Sequence, residues 1–267
     1  MPERFQGRGE FAADPSLSPH LVCLWSTVVE RGPVRHLVLP DACIDIVFVG
    51  DRPPIVAGPA TLPVRATIPP GTVVFGARFR PGAAPSWLKV SARALLDCHV
   101  PLQDLLGRPA ATLAQQVLQT PAAAGRLHLL QDFLTSRLRT VRPTDQAVDA
   151  VASRIATTRL TDIGSLCGGV GLSERQLLRR CRERLGYGPK TLHRILRLQH
   201  LLLLAARRSV RQGGLAALAA VAGYADQAHM ARDVRALTGL TPGDLLKRNA
   251  GTLGMSDLFK PSCKEID

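Results

Sequence analysis

The sequence predicts an α+β protein in two parts: a small N-terminal β-barrel or sandwich with helices after it, then an all-α domain of two helix-turn-helix units joined by a long helix. Three observations carry this prediction. Short apolar runs punctuated by Pro and Gly recur up to about residue 100, the apolar spacing turns helical from about Ser91, and one turn-centred pattern occurs twice in the C-terminal part. At 267 residues the chain is long enough for two cores of ordinary size.

The predicted strands are Leu21–Val29, Val34–Leu39, Cys43–Val49 and Val73–Phe79. Cys43–Val49 is rich in β-branched and aromatic residues and is bounded by the turn signals Pro40-Asp41 and Gly50-Asp51. Helical spacing then runs through Leu102–Leu106, Leu113–Leu118 and Leu127–Leu138. Thr140-Val141-Arg142-Pro143-Thr144 combines a helix-disfavouring Pro with polar neighbours, so the domain boundary is expected there: 1–141, then 142–249, then a flexible tail at 250–267. Beyond the boundary, Asp145–Thr157 starts a nearly continuous series of helices broken at Gly-containing turns.

The net charge of +13 is unevenly spread. Residues 142–249 carry 18 Lys and Arg against 8 Asp and Glu, whereas residues 1–141 carry 14 against 10. Such a concentrated positive field attracts polyanions, nucleic acid above all, with an anionic membrane surface as the rival. The apolar run Leu201–Leu204 with Ala205 and Ala206 is too short to span a bilayer and is bracketed by Arg197, Arg207 and Arg208, so no membrane partner is expected. The N-terminus lacks a basic stretch followed by an apolar run and cleavage site, which points to the cytoplasm. The six cysteines include no CxxC pair, so neither a zinc finger nor a disulfide framework is expected.

Leu166 to Gly171 is matched by Leu218 to Gly223 at an offset of 52, and Arg179, Gly186 and Pro189 are matched by Arg232, Gly239 and Pro242 at 53. A duplication this short, centred on a Gly turn between helices, is the form of a repeated helix-turn-helix. In the first unit, Ile163–Val170 is the supporting helix, Gly171-Leu172 the turn and Ser173–Leu185 the second helix. Ser173-Glu174-Arg175-Gln176 fits a capping box, which sets the register. Leu177, Cys181 and Leu185 then share one face, so Arg175, Leu178, Arg179 and Arg182 point the other way. A helix in the major groove needs this distribution, because Arg grips guanine or phosphate and Leu178 can meet a thymine methyl.

In the second unit, Leu215–Ala222 leads through Gly223-Tyr224-Ala225 into a helix from an Asp226 N-cap to Leu237. Met230, Val234 and Leu237 form its inner stripe, leaving Gln227, Ala228, Ala231, Arg232 and Arg235 outward, with Gln227 placed to read adenine. Pro189–Arg208 forms the connecting helix, able to hold two readers for successive major grooves roughly 34 Å apart.

Gly223-Tyr224-Ala225-Asp226-Gln227-Ala228-His229-Met230-Ala231-Arg232 followed by Gly239-Leu240-Thr241-Pro242 resembles the signature of the AraC/XylS family. Gly171 to Arg180 with Gly186-Tyr187-Gly188-Pro189 fits that family's other helix-turn-helix, so the resemblance covers residues from about 145 to 248. It implies a transcription regulator bound to double-stranded promoter DNA, with base readers at Arg175, Leu178 and Arg179, then at Gln227, Ala228 and Arg232. Ser173, Gln176, Arg180, Arg182, His229 and Arg235 complete the predicted DNA-binding set, although Arg180, like Arg184, also fits a solvated flank charge and His229 a packing role. The chain departs from the family where Phe is usual, at Cys181 and Val234, and Gly168-Gly169 weakens the first supporting helix by roughly 0.5–1 kcal/mol per Gly.

Leu39-Pro40-Asp41-Ala42-Cys43-Ile44-Asp45-Ile46-Val47-Phe48, with Phe79-Arg80-Pro81-Gly82-Ala83-Ala84, looks like the cupin-like sensor domain of one AraC subgroup. Such domains bind small-molecule effectors or mediate dimerisation, so an effector and a homodimer are the expected further partners. Cys23, Cys43 and Cys98, with His20, His36 and His99 nearby in sequence, offer an alternative metal or thiol sensor, against which stands the habit of buried Cys to act as a small hydrophobe. Trp25 and Trp87 read as core, and His193 and His200 as structural. No catalytic residues, cofactor or metal site are predicted. DNA-alkyl repair would need a compact zinc-held group of four cysteines, which the spacing does not supply, and a nonspecific DNA-coating protein is the remaining alternative.

Overall fold

The computed structural model describes residues 9–29, 34–158, 162–206 and 214–249. Eight strands come first: β1 (Gly9–Phe11), β2 (Leu21–Val28), β3 (Val34–Val38), β4 (Ile44–Val49), β5 (Ile55–Ala57), β6 (Val64–Ile68), β7 (Val73–Phe79) and β8 (His99–Pro101). Six of them form one antiparallel sheet in the order β1-β2-β7-β4-β5-β8, while β3 and β6 pair as a separate ribbon. The sheet is open, with β1 and β8 at its edges, so the expected closed barrel is not formed. The three-residue strands β5 and β8 extend β4 rather than wrap back to β1.

Strand β4 shows how the sequence builds this layer. Ile44, Ile46 and Phe48 alternate with more exposed neighbours, and the buried three join a core with Phe75 and Phe79 of β7. Phe48 and Phe75 stack at 4.6 Å between ring centroids. The same core takes in α1 (Ala84–Leu88) through Trp87, α2 (Leu102–Leu106) through Leu102, α3 (Arg108–Gln119) through Leu113, and α4 (Ala123–Arg137) through Leu127, Leu130 and Leu134. Cys23, Trp25 and Val74 form a smaller cluster with Val47, Val49 and Ile68. Trp25 and Trp87 are both buried, as core residues should be.

A second core is helical. It gathers α5 (Gln146–Thr158), α6 (Ile163–Val170), α7 (Glu174–Leu185), α8 (Pro189–Ala206), and three helices that we number α9 (Gly214–Val221), α10 (Gln227–Thr238) and α11 (Pro242–Asn249). Helix α8 runs through its middle, with ten buried residues from Pro189 to Ala205. Arg207 and Arg208, predicted to end this helix, lie outside the described residues, as do residues 250–267.

The two cores touch through particular side chains. The loop before β4 carries Ala42, whose φ of 67° places it in the left-handed region, and Ala42 packs into the helical core. Behind it, Arg78 donates to both carboxylate oxygens of Asp45 at 3.0 and 2.9 Å and pairs with Asp41 at 3.0 Å, while Asp41 accepts from the Cys43 N–H at 3.0 Å. Arg78 is 2% exposed, so this charge group is a buried tie holding the loop in shape. Gln199 of α8 reaches across and donates to the Pro40 carbonyl at 2.6 Å. Gly186, with φ +89°, closes α7 where an added Cβ would stand 2.7 Å from Pro59 Cγ, so only glycine admits this approach of the two parts.

Candidate nucleic-acid interface

The first unit is assembled by local capping. Asp162 accepts from the Gly164 and Ser165 N–H groups and starts α6. The hydrogen bonds from Ser165 hold its carboxyl below the ordinary Asp range. Gly171, left-handed at φ 64°, ends α6 and makes the turn. Ser173 then caps α7: the Gln176 N–H donates to Ser173 Oγ at 3.3 Å, and the Ser173 N–H donates to Gln176 Oε1 at 2.9 Å. Leu177, Cys181 and Leu185 are buried on its inner face.

Arg175, Leu178, Arg179 and Arg182 are exposed on α7, as are Ser173 and Gln176 at its start. Arg180 is turned toward the protein, where its Nε donates to Asp145 Oδ2 at 2.7 Å. That contact ties the side chain to the joint between α5 and α7, with 39% of it still exposed. Arg184 is likewise engaged, donating to Ser86 Oγ at 2.7 Å. Both flank charges thus have a partner within the protein.

The second unit repeats the plan. Asp226 caps α10, accepting from the His229 N–H at 2.6 Å. Met230, Val234 and Leu237 are buried, and Gln227, Ala228, Arg232 and Arg235 are exposed. His229 is half-buried, its ring edge-on to Tyr224 at 5.4 Å. The side chain remains 34% exposed, so packing on Tyr224 leaves part of it at the edge of the outward face.

Sequence reasoning missed the charge network that fixes α10 to α8. Asp233 sits among the apolar residues of the inner face and accepts from Arg194 Nε at 3.0 Å and from Arg197 Nη2. The Arg197 guanidinium lies over the Tyr224 ring at 4.3 Å. A carboxylate interrupting the Met230–Val234–Leu237 stripe was the available signal, but its two arginine partners lie more than thirty residues away.

Among the described residues, no group of three or more His, Cys, Asp or Glu could share a metal ion, and Cys98 alone of the described cysteines is exposed. Burial pushes the Cys23 thiol up to about 12 and raises Cys43 well above the ordinary range, so neither offers a ready thiolate. Those groups give no support to a metal or thiol sensor built on Cys23 and Cys43.

Two capped helices with cationic outer faces, each on its own supporting helix and both packed on α8, define a double helix-turn-helix DNA-binding protein. Residues 166–248 match the family described as a helix-turn-helix domain, and residues 9–101 match a domain of unknown function, DUF6597. The matched span holds both turn-centred units, so the C-terminal part is a helix-turn-helix domain.

No curated protein matches the chain. Similar solved structures include ToxT from Vibrio cholerae, 11% identical at a TM-score of 0.45 over 85% of this chain and 98% of that one. Another is ToxT bound to an unsaturated fatty acid, 12% identical at 0.39 over 84% and 93%. Likeness at this level carries no residue correspondence. Among the described residues no helix is long and apolar enough to cross a membrane.

Proposed function

We propose that Arg175, Leu178 and Arg179 of α7, and Gln227, Ala228 and Arg232 of α10, contact base edges of promoter DNA, with Ser173, Gln176, Arg182 and Arg235 placed for the flanking phosphates. The observation that carries this reading is the repeated outward cationic face: in each unit the inner stripe is buried while these side chains stand in solvent. Residues 142–249 are the DNA-binding domain, and residues 1–141 the effector-binding or dimerising domain, acting in the cytoplasm without catalysis. A small-molecule effector is favoured because the N-terminal part has its own core and touches α7 directly, through Ser86 on Arg184 and through Ser91 Oγ on the Glu183 carbonyl at 3.4 Å. Selection of binding sites from random duplexes by the purified full chain tests the reading. Recovery of a two-part consensus supports it, and enrichment of no sequence, with steep salt dependence, favours nonspecific coating of DNA instead.

A further inference from the structure

We propose that the cleft between the N-terminal part, the interdomain linker and the last turn of α7 is the effector site, and that it takes a small anion carrying a carboxylate or phosphate group. The inference rests on the effector-responsive reading above. The cleft holds about 550 Å³, within the roughly 300–1,000 Å³ of small-molecule sites. Three cations line it from three different segments: Lys89 just after α1, Arg142 in the linker and Arg184 on α7, against the single lining carboxylate of Glu183. Ser86 and Ser91 add hydroxyls, and Pro85 and Val90 an apolar wall.

Among the described residues, no ion pair joins Lys89 or Arg142 to a carboxylate, so both charges remain available. Lys89 also holds an unusual backbone: φ 57° and ψ 30° put a non-glycine residue in the left-handed region at the cleft's edge. Glycine would close α1 without that steric cost, so the side chain is what the position gains from lysine. Arg184 has its Nη1 on Ser86 and lies near Asp149, whose carboxyl burial raises above the ordinary range, an effect that the Arg184 charge only partly offsets. An anion here draws on α1, the linker and α7 together, and α7 is the helix that bears Arg175, Leu178 and Arg179. Occupancy therefore bears directly on how the first DNA reader is seated.

Thermal unfolding of the full chain with inorganic phosphate and with succinate, each against chloride at equal ionic strength, tests the site. At least one anion is expected to raise the wild-type Tm by about 2 °C or more through preferential binding to the folded state. Lys89→Gln and Arg142→Gln alter exposed side chains and leave the backbone geometry as it is; both are expected to keep the wild-type Tm in chloride and to lose the anion-dependent rise. A response to phosphate alone or to succinate alone assigns the anionic group. Equal rises in wild type and variants, or no rise with either probe, overturn the proposal. So does weaker binding of random duplex by the variants with a flatter salt dependence, which would assign Lys89 and Arg142 to the DNA backbone. A wild type that binds cognate DNA selectively but ignores both anions refutes this site alone, whereas a chain with no sequence preference refutes the regulator reading.

Discussion

Replacing Asp233 by Ala removes the charge on which α8 and α10 converge. Asp233 is 8% exposed, and the Arg197 side chain that it pairs with is 10% exposed, so the substitution leaves a guanidinium nearly out of water without its counter-charge. Breaking a buried pair from one side costs about 3–5 kcal/mol. The Tyr224 ring 4.3 Å away continues to hold Arg197, which places the expected loss near the lower end, about 3 kcal/mol. The Arg194 contact adds at most about 1 kcal/mol, because its side chain is 39% exposed and screened by solvent. Urea denaturation followed by circular dichroism measures the loss. A double variant, Asp233→Leu with Arg197→Met, should recover most of it, since an apolar pair needs no counter-charge. A loss under about 1 kcal/mol for Asp233→Ala, or a double variant as unstable as the single one, would refute the assignment of this network as the tie between α8 and α10.

Two glycines are expected to respond in opposite directions. Gly168→Ala, inside α6 with nothing within 4 Å of an added Cβ, should stabilise by roughly 0.5–1 kcal/mol in the same denaturation assay, whereas Gly186→Ala, left-handed and pressed against Pro59, should cost more than about 1 kcal/mol. Because the Asp162 carboxyl is held below its ordinary pKa, its stabilising effect is present above the ordinary Asp range and is lost as the pH falls through the lowered value; Asp162→Asn should flatten the acid limb of a Tm-against-pH curve. Arg78→Met strands Asp41 and Asp45 and should destabilise by about 3 kcal/mol or more, with protease cleavage near residues 39–43 reporting release of the loop.

The helical half was legible because its determinants are local. Ser173 and Gln176 cap within four residues, Asp226 caps within three, and the apolar stripes of α7 and α10 repeat at helical spacing, so these elements were located from a few letters each. The sheet was only half legible. Strands β2, β3, β4 and β7 carry long apolar runs, but β1, β5 and β8 have three residues each and owe their existence to the neighbour that they pair with. The open shape of the sheet was hidden for the same reason. Arg180 and His229 were assigned outward because their helix faces are nearly right, while the partners that draw them in, Asp145 and Tyr224, lie on other elements. The seating of α7 on the N-terminal part left no local trace: Arg184 and Ser86 are 98 residues apart.

Base-resolved footprinting of the full chain on its selected duplex, repeated with Arg179→Ala and Gln227→Ala, puts both outward helices to the test at once. Two protected major-groove patches are expected about one helical turn, roughly 34 Å, apart. Each substitution should cost about 1–3 kcal/mol through its own patch and little on random DNA. A single protected patch, or losses equal on selected and random duplexes, would contradict a pair of base-reading helices carried on α8.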